Sequence, residues 1–126
     1  DMGTGTDTVV FATSANATTA SADAAFNADF LSVEAIEVAA ALTTTIDAAA
    51  LGGATSFSLN GNNNAGIINS LTSGSTVTLK DPSTTVTANI TNAVVSSGDV
   101  LNVVLSNDTV NANAFGTITT DGRWHC

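Results

Sequence analysis

Acidic side chains are the most frequent groups in this sequence that could take part in chemistry. The 126 residues contain eleven Asp or Glu but only two Lys or Arg, and the formal net charge is −9. Such a surplus favours association with hard cations, above all Ca²⁺, whose ligands are carboxylate, amide and carbonyl oxygens; solubility is the competing explanation. Three aspartates, Asp81, Asp99 and Asp108, lie in turn-forming stretches. Stacked turns would bring their oxygens together, although Asp is also an ordinary turn residue.

The charge balance also excludes some classes of partner. Recognition of a phosphate backbone depends on several Lys or Arg contacts, and this chain offers only Lys80 and Arg123. No apolar run reaches the length of a membrane span. We therefore expect neither a nucleic-acid partner nor insertion into a membrane.

Groups suited to catalysis are scarce. His125 is the only histidine and Cys126 the only cysteine, and both lie in the C-terminal tail. The sequence therefore gives no support to a Ser-His-Asp or Cys-His arrangement around His125, and a single cysteine can form no disulfide within the chain. Glu34 and Glu37 are the only close pair of carboxylates, and on a strand a spacing of three places them on opposite faces. We expect no catalytic residues and no enzyme activity.

A polar stretch at residues 60–64 carries four Asn around Gly61. These amides could form an Asn ladder at a corner of the fold or contact a saccharide. We favour a solvated loop with left-handed backbone at Gly61 and at Asn.

Apolar and polar residues alternate with a period of two over most of the chain, and β-branched residues are common. This pattern predicts a mainly β protein with strands at residues 8–11, 33–38, 55–59, 76–80, 85–91, 99–105 and 115–119. Residues 20–30 instead predict a short helix, capped by Ser21 and rich in Ala. Residues 47–51, which are followed by Gly52, predict a corner turn.

The strands that begin near Val33, Thr55, Thr76 and Asp99 recur about every 22 residues, a period typical of stacked repeats. Each is followed by a second segment, at residues 43–46, 66–68, 86–90 and 109–110. We expect a parallel β-solenoid, or β-helix, with a short helical insertion and with Val, Ile, Leu and Ala inside. The alternative is an antiparallel, immunoglobulin-like β-sandwich, which also has about seven short strands.

Residues 2–10 resemble one nonapeptide of the calcium-binding RTX repeats, with Gly3, Gly5 and Asp7 at the matching positions and Met2 in place of the first glycine. In that family the glycines aim turn carbonyls at the ion and the Asp supplies a carboxylate. The alternation at residues 33–38, 46–51 and 55–59 resembles the repeats of RTX-type S-layer proteins, a likeness that covers residues 3–120. The resemblance implies type I secretion and calcium-dependent assembly of a lattice on the cell surface.

We interpret residues 1–120 as a single β-rich domain, or a slice of a longer repeat protein, and residues 121–126 as a separate tail of open origin. The chain begins at Asp1 without a leader, as expected of a processed chain or a fragment. We expect an extracellular, structural segment of a bacterial surface-layer protein that associates with itself and with calcium. The alternatives are a binding module of a large adhesin, contacting a cell-surface glycan, and a carrier domain of a secreted hydrolase.

Overall fold

Strands make up most of the regular structure, as the alternation of apolar and polar residues predicts. The structure is a computed structural model that describes residues 3–91, 98–106 and 116–120. The elements in these ranges are, in chain order, β1 Thr8–Phe11, α1 Ser14–Ala22, α2 Ala24–Asp29, β2 Ala35–Val38, β3 Thr45–Asp47, a 3₁₀ turn Ala48–Ala50, β4 Ser56–Leu59, β5 Asn64–Leu71, β6 Thr76–Leu79, β7 Thr85–Ile90, β8 Asn102–Leu105 and β9 Thr117–Thr120. The predicted mainly β class is confirmed.

All seven strands predicted from alternation overlap an observed strand. The bounds of β1 match, and the bounds of the other six differ by up to three residues, as expected where strand ends fray. The second segments at residues 43–46, 66–68 and 86–90 fall on β3, β5 and β7. The segment at 109–110 and the tail at 121–126 lie outside the described residues.

The strands form two sheets in which the described pairings are all parallel. One sheet has the order β1-β2-β4-β6-β8 and the other has the order β3-β5-β7-β9. From β2 onward the chain therefore alternates between the two sheets. Two neighbouring parallel strands must be joined by a crossover connection. Here, from β2 onward, the connection between two neighbouring strands of one sheet contains a strand of the other sheet.

The register of the first sheet repeats without a shift. Ala35 pairs with Ser56, Ser56 with Thr76, and Thr76 with Asn102. Successive partners are about 20 to 26 residues apart, which agrees with the repeat expected from the sequence. The described pairings include none of the antiparallel pairs that an immunoglobulin-like sandwich is built from.

The core consists of the inward-facing residues of both sheets. Strand β4 illustrates the pattern, because Phe57 and Leu59 are fully buried whereas Ser56 is exposed. The inward residues of both sheets, together with residues of the corners and of α1, belong to one hydrophobic cluster. Each fully buried Leu, Ile or Phe contributes about 1.5–3 kcal/mol relative to exposure.

The helical region differs from the prediction of one helix capped by Ser21. Thr13 caps α1, accepting a hydrogen bond from the Asn16 N–H at 3.1 Å, and Asp23 caps α2 through the Ala25 N–H at 2.9 Å. Ser21 lies inside α1 and donates to the Thr18 carbonyl instead. Ser, Thr and Asp cap helices almost equally well, so burial of Ala17 and Ala20 decides where α1 lies. Among the described residues, no helix is long and apolar enough to cross a membrane.

The short turn after β3 agrees with the prediction for residues 47–51. Residues Ala48–Ala50 form one 3₁₀ turn, and Asp47 Oδ1 accepts a hydrogen bond from the Ala49 N–H at 3.1 Å. Leu51 is fully buried at the end of this turn. The turn therefore serves as a corner between β3 and β4.

Two left-handed residues in β5 were not predicted. Ala65 has φ 58° and Ser70 has φ 59°, and the register between β5 and β7 shifts at both places. Such bulges bend a strand and re-aim the side chains that follow. Here they bring Gly66, Ile68 and Leu71 to buried positions in the second sheet.

Replacing Phe57 by Ala tests the packing between the sheets. We expect a loss of about 3–5 kcal/mol in the free energy of unfolding, because the ring is fully buried and its removal leaves a cavity. Chemical denaturation measures this loss. Ser56→Ala, at the exposed neighbouring position, is the control and should change stability by less than about 0.5 kcal/mol. A Phe57→Ala variant as stable as the control would contradict the described core.

Candidate calcium site and polar corners

Asp7 and Glu34 lie next to each other just before β1 and β2, where the Glu34 carboxylate contacts the Asp7 backbone. The Asp7 N–H donates to Glu34 Oε2 at 2.8 Å, while the Asp7 carbonyl accepts the N–H groups of Glu34 at 3.3 Å and Ala35 at 3.0 Å. These bonds begin the ladder in which Thr8 pairs with Ala35. The parallel register, rather than closeness in sequence, brings the two acidic residues together.

Gly3 and Gly5 have the left-handed backbone that the glycine pattern predicts. Their φ angles are 96° and 137°, and a Cβ atom on either would meet nothing within 4 Å. The requirement for glycine is therefore conformational rather than steric. The exposed turn leads directly into Asp7 and β1.

The side chains at this site offer carboxylate oxygens, the kind of ligand that calcium prefers. Asp7 Oδ2 is buried and accepts no hydrogen bond from the described residues, which is costly for a carboxylate oxygen unless a donor or a cation completes it. Calcium takes six to eight oxygens. Within the described residues no group of three or more acidic, His or Cys side chains could hold a metal. A calcium ion here would therefore also need carbonyl or water oxygens, or ligands from another segment.

The corner aspartates have separate surroundings. Asp81 Oδ2 accepts the Gly61 N–H at 2.6 Å, so this carboxylate ties one corner to the preceding corner. Asp99 is exposed before β8, and Asp108 lies outside the described residues. For Asp81, the contact describes a bond between successive corners rather than the local turn that we expected.

Asn63 is fully buried and connects three corners, although we expected residues 60–64 to form a solvated loop. Its Oδ1 accepts the Leu42 N–H at 2.7 Å, and its Nδ2 donates to the Gly61 carbonyl and to Ser83 Oγ, both at 3.0 Å. Leu42 lies 21 residues before Asn63 and Ser83 lies 20 residues after it. The left-handed Gly61, with φ 75°, and the exposure of Asn62 and Asn64 agree with the expectation, whereas no Asn of this stretch has a positive φ. Of the four Asn residues in this stretch, only Asn62 and Asn64 are exposed and could contact a glycan through their amides.

Other amides also stack from one strand to the next. Asn89 Nδ2 donates to Asn69 Oδ1 at 2.8 Å, and the register of the second sheet places Asp47 beside Asn69. In the first sheet, the two oxygens of Glu37 accept hydrogen bonds from Asn60 Nδ2 at 2.9 Å and from Lys80 Nζ at 3.3 Å. The two glutamates Glu34 and Glu37 thus have different partners, as their spacing predicts.

A pocket between the two helices is lined by Asn16, Thr19, Ala20, Asp23 and Phe26. Its volume is about 280 Å³, and it holds only one ionisable group. Phe26 stacks on Phe30 beside it, with ring centroids 4.7 Å apart. His125 and Cys126 lie outside the described residues, so the structure does not relate them to this pocket.

Comparisons of the chain with protein-family models, with curated proteins and with solved structures found no match. The function is therefore argued from the residues and their geometry alone.

Replacing Asn63 by Ala tests whether the buried amide holds the corners together. The variant leaves the Leu42 N–H and Ser83 Oγ without this partner in a dry environment, and we expect a loss of about 2–4 kcal/mol of stability. Asn62→Ala is the matched control in the same loop, and its exposed side chain should be dispensable. Equal stability of the two variants in chemical denaturation would contradict the connecting role of Asn63.

Proposed function

We propose that this chain is a structural segment of a secreted bacterial surface-layer protein, built as a parallel β-solenoid and assembled into a calcium-dependent lattice. The observation that carries the proposal is the repeated parallel register of Ala35, Ser56, Thr76 and Asn102. Such stacking extends in one direction and suits a structural role.

The solenoid geometry is supported by the way the chain visits the two sheets in turn. The pairs Thr45–Ile67, Ile67–Thr87 and Thr87–Thr119 follow one another in the second sheet. Between each strand of the second sheet and the next, the chain adds one strand to the first sheet. A coil with one strand of each sheet per turn accounts for both strand orders.

The outward surface suits contact with other protein surfaces rather than binding of a polyanion. Outward positions of β4 and β6 carry Ser56, Ser58, Thr76 and Thr78, and Lys80 is paired with Glu37. Short hydroxyl side chains lose little conformational entropy on association. The proposal therefore assigns the chain a mechanical role, without a reaction of its own.

The calcium dependence is supported by the acidic surplus and by the buried, unpaired Asp7 Oδ2 next to Glu34. A cation at this position would relieve the burial of that oxygen and reduce repulsion between the two carboxylates. Net charge of −9 on each copy also opposes close packing of copies. Calcium would reduce both the cost of burying the Asp7 oxygen and the repulsion between copies.

The extracellular location rests on composition. The only cysteine is Cys126, basic residues are scarce, and Thr, Asn and Ala are abundant. The adhesin alternative has less support, because burial of Asn63 leaves little exposed amide surface in residues 60–64 for a glycan.

Particle size and thermal melting with and without millimolar Ca²⁺ test this function, with Mg²⁺ as the control for charge screening. We expect a calcium-specific rise of several degrees in Tm together with larger particles. Binding at about a hundredfold excess over Kd would contribute about 2.7 kcal/mol. Equal responses to the two ions, or none, would contradict the proposal.

Two variants locate the calcium effect. Asp7→Asn should abolish the calcium-specific rise in Tm and leave the melting without calcium nearly unchanged, because Asp7 Oδ2 has no partner in the described residues to lose. Asp29→Asn removes the same charge from an exposed position and should keep the full response. An intact calcium response in Asp7→Asn would place the ion elsewhere.

A further inference from the structure

The two ends of the stack of strands differ in what covers them. At the start of the second sheet, α1 packs on β3, and Ser14 Oγ contacts Thr44 Oγ1 at 2.8 Å and accepts the Thr43 N–H at 3.1 Å. At the other end, β8 pairs only with β6 among the described strands. Its apolar residues are exposed, with Val103 at 38%, Val104 at 44% and Leu105 at 52%.

The register defines the kind of strand that β8 would accept. Each step of the first sheet adds four residues in parallel, with apolar side chains inward at the second and fourth positions, as in the pairs Val77–Val103 and Leu79–Leu105. An edge strand presents unpaired N–H and C=O groups that act as a template for the next strand. The occupant of this edge should therefore be a short parallel strand with the same apolar pattern.

Strand β1, at the opposite edge of the same sheet, has this pattern. Val9 and Phe11 point inward and pair with Ile36 and Val38 of β2. Like β8, β1 pairs with a single strand among those described. The sheet thus ends in two strands of equal length, direction and alternation.

The outward side chains give an independent indication that the two edges match. One outward row runs across the sheet through the inner residues Glu37, Ser58 and Thr78, which are all polar. At the two ends of this row stand Val10, which is 56% exposed, and Val104. Within this row, valine occurs only at the two ends, where a described strand lies on one side instead of both.

We propose that β8 of one copy pairs in parallel with β1 of a second copy, head to tail. Asn102 then lies opposite Thr8, Val103 opposite Val9, Val104 opposite Val10, and Leu105 opposite Phe11. The pairing buries both exposed valines and the inward face of β8. The exposed residues of α1 in the second copy include only short side chains such as Ala15, Asn16 and Thr19, so α1 itself presents no bulky group there.

A contact between two different edges is heterologous, and it produces a filament when the rotation from copy to copy does not close a ring. This pairing rests on the proposed function, which makes self-association useful. It deepens that function by naming the contact between copies along one direction of a lattice. Two copies that each carry a charge of −9 repel one another. The pairing should therefore strengthen as salt or divalent ions screen this repulsion.

The experiment uses two variants of the whole chain, each blocked at one edge. Val104→Lys with Leu105→Lys adds charge to β8, and Thr8→Lys with Val10→Lys adds charge to β1. All four positions are exposed, so each variant should keep the circular dichroism and Tm of the parent. Thr55→Lys with Ser56→Lys, in the middle of the sheet, adds the same charge as a control.

Analytical ultracentrifugation should show chains of copies for the parent and for the control, and monomers for each edge variant alone. An equimolar mixture of the two edge variants should form a dimer and nothing larger, because it contains one free β8 edge and one free β1 edge.

Three results would overturn the pairing: a parent that stays monomeric at every concentration and salt level, edge variants that assemble like the parent, or dimers of the β1 variant alone. The last result would indicate a two-fold contact between two β8 strands. Edge variants that still assemble in a calcium-specific manner would overturn only the pairing and leave the proposed function standing. Assembly that the edge variants abolish but that does not depend on calcium would support the pairing and overturn the proposed function.

Discussion

The parallel backbone ladder between strands about 20 residues apart is the interaction on which the rest of the structure depends. Each strand of the first sheet takes its register from the strand before it, as the pairs Ile36–Phe57 and Phe57–Val77 illustrate. A slip by one residue would turn every inward side chain to the outside. Burial of these side chains and the backbone hydrogen bonds therefore stabilise the same register, and the small, aliphatic core follows from it.

The corners add a second, polar form of order to this ladder. Asn63, Asp81 and Glu37 each bond to groups about 20 residues away in sequence, so the same period governs side-chain and backbone contacts. A buried amide that lost its partners would be destabilising, and a satisfied one favours a single arrangement. The Asp7–Glu34 pair differs, since it leaves one carboxylate oxygen buried without a donor in the described residues. This contrast is the reason why the proposed cation is assigned to the start of β1.

Much of the strand pattern could be predicted from the sequence, because alternation is a local signal and the period near 22 residues is visible without a structure. The start of α1 could not, since Thr13, Ser21 and Asp23 are all good caps and contact with β3 decides between them. Burial of Asn63 and the left-handed Ala65 depend on neighbouring strands and have no local signal. At the candidate site, Gly3, Gly5 and Asp7 follow from the glycine pattern. Glu34 was missed as their neighbour because its position depends on the pairing of Thr8 with Ala35.

The most direct test of the account is disulfide formation between paired positions, in a chain with Cys126→Ser. Ser56→Cys with Thr76→Cys places two thiols at directly paired outward positions of β4 and β6, within the range that a disulfide can span. Ser56→Cys with Thr78→Cys shifts one thiol by two residues along the strand and is the control. The account predicts rapid oxidation of the first pair and slow oxidation of the second. Equal rates for the two pairs, or no disulfide in the first, would contradict the parallel register and the solenoid that we propose from it.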